Sequence, residues 1–65
     1  MDHIAFFATG LEEKIALLKE LKLPYRERTV PAIELHQIFL DDPNGVVIEL
    51  NYPAEEKAAL DAKAA

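Results

Sequence analysis

The stretch from residue 35 to residue 51 constrains the fold most, because it predicts a complete β-hairpin. Two runs rich in Ile, Val, Leu and Phe flank an Asp-Pro-Asn-Gly turn, as expected for two paired strands. Pro43 has the φ required at the second position of a type I turn, and Asn44 and Gly45 tolerate the positive φ that closes a four-residue loop. Glu49 interrupts the second run, so its carboxylate either faces water or binds a positive group.

The residues ahead of the hairpin predict a strand, a helix and a second strand. The alternating first segment is apolar, the helical segment has an apolar stripe at helical spacing, and Pro24 ends it. Thr9 and Glu12 have the spacing of a capping box at the helix start. We therefore expect an α+β fold with the order strand-helix-strand-strand-strand and with the helix on one face of a mixed four-stranded sheet; the first three elements are placed at residues 2–8, 11–21 and 25–30.

Length and composition limit what such a chain can do. Its 65 residues make one small domain, and without cysteines no disulfide can stabilise it. The net charge of −5 argues against nucleic acid as a partner. We see no apolar run long enough for a membrane span and no signal peptide, so we expect no membrane association and a cytoplasmic location.

The last residues, 54–65, are rich in Ala, Glu and Lys and are expected to form a separate tail after a module at 1–53. Leu60 is the one large apolar side chain in this tail. The sequence therefore predicts a solvated, fraying helix with little to pack against.

Strand alternation predicts which side chains share a face of the sheet. If Leu40 pairs with Val47 across the turn, the hairpin residues on the face away from the helix are His36, Ile38, Leu40, Val47, Glu49 and Asn51. His3 on the first strand would join Glu49 there. An imidazole beside a carboxylate suits a divalent ion such as Zn, Ni, Fe, Mn or Co. His3 as a surface residue and Glu49 as a solvated strand residue are the alternatives.

Three segments together resemble the vicinal oxygen chelate superfamily, which includes glyoxalase I, bleomycin resistance proteins and extradiol dioxygenases. They are the opening Asp-His-Ile-Ala-Phe, residues 26–31, and the whole hairpin at 35–51. The resemblance implies a βαβββ module over residues 1–53. It implies that His3 and Glu49 are metal ligands and that Glu49 is the catalytic base. His36, Ile38, Val47 and Asn51 are then expected to line the cavity that two facing modules enclose.

The chain departs from the family in carrying a single module, which resembles the C-terminal half of a two-module member. The resemblance therefore implies a homodimer or a missing partner module that completes the site. The function it implies is a metal-dependent lyase or isomerase, like lactoylglutathione lyase, acting on a small molecule. The alternatives are a ligand-sequestering protein of the bleomycin-resistance type, which needs no metal, and an inactive half-module that only dimerises.

Overall fold

The computed structural model describes residues 3–64, which form a mixed four-stranded sheet and two helices. The α+β class and the mixed sheet predicted from the sequence are confirmed. Asp2, at the start of the predicted first strand, and Ala65, at the end of the predicted tail, lie outside the described residues. The strands are His3–Phe7 (β1), Arg26–Val30 (β2), Leu35–Asp41 (β3) and Val47–Pro53 (β4), and the helices are Leu11–Glu20 (α1) and Ala54–Ala64 (α2).

The sheet has the order β1-β4-β3-β2, so the first strand lies beside the last. β1 runs parallel to β4, while β2, β3 and β4 form an antiparallel meander. A parallel pair needs a long connection, and α1, β2 and β3 all lie between β1 and β4 in the chain. A 3-10 turn at Pro31–Ile33 joins β2 to β3.

The hairpin turn is one residue shorter than predicted. The backbone N–H of Gly45 donates to the carbonyl of Asp42 at 2.9 Å, and that of Asp42 donates to Val46 at 2.8 Å. Gly45 has a φ of 83°, whereas Asn44 is not among the residues with positive φ. The loop therefore has three residues, 43–45, of which the last is the left-handed glycine that follows a type I turn, and is not the four-residue loop expected.

This shorter loop corrects the predicted register. Leu40 pairs with Ile48 and not with Val47, and Phe39 pairs with Glu49. A slip of one residue moves every side chain of a strand to the other face. His36 and Ile38, predicted to share the face of Glu49, consequently lie on the opposite face.

The core lies between the helices and that opposite face of the sheet. Leu11, Ile15 and Leu18 of α1 pack against Ile38 and Tyr52, and all five are buried. Burial, together with the nearby charge of Glu56, raises the pKa of the Tyr52 phenol. Leu17 of α1 and Leu21, which follows the helix, are exposed.

The start of α1 is capped by a residue from the other end of the chain. Gly10 is the N-cap, with φ 88°, and no side chain of the predicted Thr9 and Glu12 capping box takes part. Instead Glu56 Oε1 accepts hydrogen bonds from the backbone N–H groups of Gly10 and Leu11, both at 3.0 Å. The carboxylate satisfies two N–H groups at the positive end of the helix dipole.

The C-terminal residues form a packed helix, so the expectation of a solvated tail is wrong. Leu60 packs against the core, and α2 contacts α1, β3 and β4. Lys63 of α2 also pairs with Glu12 of α1 at 3.0 Å. Neither helix in the described part of the chain is long and apolar enough to cross a membrane.

Candidate functional site

The face of the sheet that the helices do not cover, here called the open face, carries the candidate site. It consists of the odd-numbered residues of β1, β3 and β4 and the even-numbered residues of β2, as the strand register requires. The odd-numbered positions include His3 and Glu49. Both residues lie on this face, as predicted, because His3 pairs with Val47 in the parallel register and Val47 is two residues from Glu49.

His3 and Glu49 are in direct contact on the open face. His3 Nε2 lies 3.0 Å from Glu49 Oε1, with the imidazole half exposed at 52% and the carboxylate largely buried at 14%. Ala5 is paired with Glu49 in the register of β1 and β4. Its small side chain leaves room for the imidazole of His3, two residues earlier on β1, to reach the carboxylate. The pair combines an accessible nitrogen with a carboxylate that the sheet holds in place.

Two buried amides fix the other oxygen of Glu49. Asn51 Nδ2 donates to Glu49 Oε2 at 2.8 Å, and Gln37 Nε2 donates to the same oxygen at 3.2 Å. The two amides are also joined, since Gln37 Nε2 donates to Asn51 Oδ1 at 3.0 Å. Asn51 Nδ2 further contacts the carbonyl of Phe6 at 3.3 Å. The two amides therefore hold Oε2, and Oε1 is the oxygen that contacts His3.

Next to this network the open face is apolar and basic. Phe39 lies opposite Glu49 on the neighbouring strand. The Arg26 guanidinium lies over the Phe39 ring, 5.9 Å from the centre of that ring. Arg26 also donates to Asp41 at 3.1 Å. Phe7 is 78% exposed on the same face. A few polar groups among apolar side chains are typical of the lining of a small-molecule site.

The structure assigns the predicted cavity residues to two different faces. Val47 and Asn51 are on the open face with Glu49, although Asn51 is 2% exposed and holds Glu49 in position. His36 and Ile38 are on the helix-covered face and are buried, so they line no cavity on the open face. Gln37 pairs with Asn51, at the position predicted for His36. A polar residue in the middle of the apolar run Leu35–Leu40 was the available signal for its role.

His36 forms a second polar cluster on the opposite face of the sheet. Its Nε2 lies 2.9 Å from Glu27 Oε1 and its Nδ1 lies 2.7 Å from the Thr29 hydroxyl. An ionised carboxylate only accepts hydrogen bonds. The tautomer of the neutral imidazole that fits therefore has its proton on Nε2, and its Nδ1 accepts a hydrogen bond from the Thr29 hydroxyl. Both ring nitrogens are satisfied, which explains how the imidazole can be buried.

The donor atoms on the open face limit what one chain can bind. Imidazole nitrogen and carboxylate oxygen are ligands that suit divalent transition metals. Within residues 3–64 no group of three or more His, Cys, Asp or Glu side chains is placed to hold an ion. One chain therefore offers His3 and Glu49, and a complete coordination shell needs donors from elsewhere.

Comparisons with protein-family models, curated proteins and solved structures give no match for this chain.

Proposed function

We propose that the protein is one module of a vicinal oxygen chelate protein and acts as a metal-dependent lyase or isomerase of the glyoxalase type. The observation that carries the proposal is the contact of His3 with Glu49 at 3.0 Å on the open face. The element order and the sheet order, with β1 and β4 adjacent, support it by bringing the two residues together from opposite ends of the sequence.

Glu49 is the proposed base. Its Oε2 is held by Asn51 and Gln37, so Oε1 has a fixed position from which to remove a proton from a carbon next to a carbonyl. His3 Nε2 contacts the same oxygen at 3.0 Å, and an ion held by the pair would take the place of this contact. A bound divalent ion would supply electrostatic stabilisation of the negative charge that develops on the carbonyl oxygen.

The ion would be held by His3 and Glu49 of two copies of the module. Two copies related by a two-fold axis supply two imidazoles and two carboxylates, which makes a four-coordinate site from protein ligands. The donor set of one chain fits half of such a site.

The exposed edge of the sheet at β1 supports the pairing of two copies. All five residues of β1 are exposed, and the strand contains no Lys, Arg, Asp or Glu. The opposite edge strand, β2, carries Arg26, Glu27 and Arg28, which protect it against further strand pairing. An uncharged edge with exposed aromatic side chains is the edge that another module would cover.

The test is native mass spectrometry of protein purified without chelator, followed by metal titration of Glu49→Gln. We expect a dimer that binds a divalent ion and a loss of affinity of roughly tenfold or more in the variant. Proton transfer on an α-keto hemithioacetal should be lost as well. Glu13→Gln, which makes the same charge change on the exposed side of α1, is the control. Unchanged metal affinity in Glu49→Gln would refute the proposal.

The second candidate is a ligand-sequestering protein that needs no metal. It is favoured by the contact of His3 with Glu49 Oε1 and by the two hydrogen bonds that side-chain amides donate to Oε2. Together these contacts satisfy the carboxylate without an ion. In that case ligand binding on the open face survives dialysis against EDTA. A folded dimer with neither metal nor ligand affinity would identify an inactive half-module.

A further inference from the structure

A cleft on the helix-covered side of the molecule is separate from the open face. It lies between α1, α2 and β2 and has a volume of about 400 Å³, which is within the range of small-molecule pockets. Its apolar part includes Ile15 and Leu60, which belong to the core cluster or pack against it, and the ring of Tyr25. Because the sheet stands between the two sites, a ligand in the cleft does not contact His3 or Glu49.

A carboxylate with a fixed orientation stands at this cleft. Glu27 lines it, and Glu27 Oε1 accepts from His36 Nε2 at 2.9 Å. His36 is 2% exposed and is held in turn by Thr29 at 2.7 Å. Glu27 Oε2 has no hydrogen-bond partner within residues 3–64, and the side chain is 32% exposed. One oxygen is therefore anchored by a buried ring, and the other can accept from a ligand.

The charges around Glu27 favour a cation. The cleft lining holds three carboxylates, Glu12, Glu27 and Asp61, against two ammonium groups, Lys19 and Lys57. Lys57 pairs with Asp61 at 2.9 Å. The hydrogen bond that Lys57 donates to Asp61 raises the pKa of Lys57 most; burial opposes this, and the negative charges of Asp61 and Glu27 raise it further. Lys57 thus senses the charge of Glu27 but forms its ion pair with Asp61. In the described part of the chain no Lys or Arg forms an ion pair with Glu27, whose charged-group contact is the one with His36.

We propose that this cleft binds small primary amines with an apolar body. The ammonium donates to Glu27 Oε2. The apolar body covers Ile15 and Leu60 and lies beside the Tyr25 ring, where burial of its carbon atoms adds to the affinity. A neutral or anionic molecule of the same shape gains only the burial of its carbon atoms and not the hydrogen bond of the ammonium to Glu27. The charge of the molecule therefore decides which class of ligand binds.

The probe is phenethylamine, titrated into the isotope-labelled protein and followed by amide chemical shifts. We expect saturable shifts at Glu27, Ile15 and Leu60 with a millimolar dissociation constant. The matched compounds 2-phenylethanol and 3-phenylpropanoate should bind roughly fivefold more weakly or worse. Equal binding of the alcohol or of the carboxylate overturns the proposal.

Two variants should change the affinity in opposite directions. Glu27→Gln keeps an acceptor for His36 and removes the charge, so phenethylamine should bind roughly fivefold more weakly. Lys57→Gln removes the competing ammonium, so the same amine should bind more tightly. Glu20→Gln, an exposed site outside the cleft, should leave the affinity unchanged. Unfolding cannot produce a gain, so failure of Lys57→Gln to tighten binding, or equal losses in Glu27→Gln and Glu20→Gln, refutes the site.

Discussion

At the scale of single residues, the candidate site depends on polar side chains set into apolar strands. Glu49 stands between Ile48 and Leu50, and Gln37 between His36 and Ile38. A buried polar group is costly unless it is hydrogen-bonded. Here the cost is offset by a closed network, in which Gln37, Asn51 and Glu49 satisfy one another. The network is thus a structural requirement as well as a means of orienting Glu49.

The sequence predicted His3 and Glu49 together but could not predict Gln37 as the partner of Glu49. The first result needs the alternation of side chains along each strand and the rule that the more apolar side of each strand faces the helices. The second needs the register of the hairpin, which depends on whether Asp41 or Asp42 lies opposite Val46 at the turn. An Asp-Pro-Asn-Gly sequence suits both loop lengths, and the backbone bonds of Asp42 decide between them.

Replacing Asn51 by Ala should destabilise the fold. The change leaves the carbonyl of Phe6 and the side chain of Gln37 each with one partner fewer and removes the shorter hydrogen bond to Glu49 Oε2. We expect the free energy of unfolding in urea to fall by about 1–3 kcal/mol.

The control for Asn51→Ala is Asn44→Ala at the exposed turn, where the change should stay within about 0.5 kcal/mol. Equal effects of the two substitutions would show that the amide network contributes nothing to stability.

At the scale of elements, the two helices depend on each other. Glu56 of α2 caps α1, and Lys63 of α2 pairs with Glu12 of α1. The sequence contained a local capping box, and local rules gave it preference over a partner about 45 residues away. The weak apolar stripe of α2 likewise hid its packing, because Leu60 alone provides most of the apolar contact. Long-range contacts of this kind cannot be read from local patterns.

Removing the distant cap should weaken α1. Glu56→Ala leaves the backbone N–H groups of Gly10 and Leu11 without their acceptor. Helix-capping changes cost about 0.5–2 kcal/mol. Glu56 Oε2 is buried without a partner in the described residues, and this cost offsets part of the stability that the cap contributes. We therefore expect the free energy of unfolding in urea to fall by about 1 kcal/mol.

The matched variant for this experiment is Glu55→Ala. It removes the same charge from the exposed neighbouring position and should change the free energy of unfolding by less than about 0.5 kcal/mol. A Glu56→Ala protein as stable as Glu55→Ala would contradict the capping role.

At the scale of the whole molecule, the two faces of the sheet have separate uses. The helix-covered face holds the core and the amine cleft, and the open face holds the proposed catalytic pair. β1 is exposed on both faces, with Phe6 and Phe7 pointing to opposite sides. A single module therefore leaves apolar surface uncovered at this edge, which two paired modules would bury.

A charge on β1 should prevent this pairing without unfolding the module. Phe7 is 78% exposed, so Phe7→Lys adds a cation at low cost to the monomer. If two copies meet at β1, its dimer dissociation constant should rise roughly tenfold or more, which corresponds to about 1.4 kcal/mol.

Leu17→Lys makes the same charge change at another exposed apolar residue, on α1, and should leave the dimer intact in sedimentation experiments. Equal dissociation of both variants, or of neither, would place the interface elsewhere.

The adjacency of β1 and β4 also has a consequence for how the chain is made. A ribosome releases β1 first and its neighbouring strand only after α1, β2 and β3. During that interval the nascent chain carries Ile4, Phe6 and Phe7 on a strand without its partner. Contacts that join distant parts of a sequence form late and leave apolar strands open to aggregation in the meantime. The module should therefore fold in one late step, and chaperones that bind apolar segments would act on its first residues during synthesis.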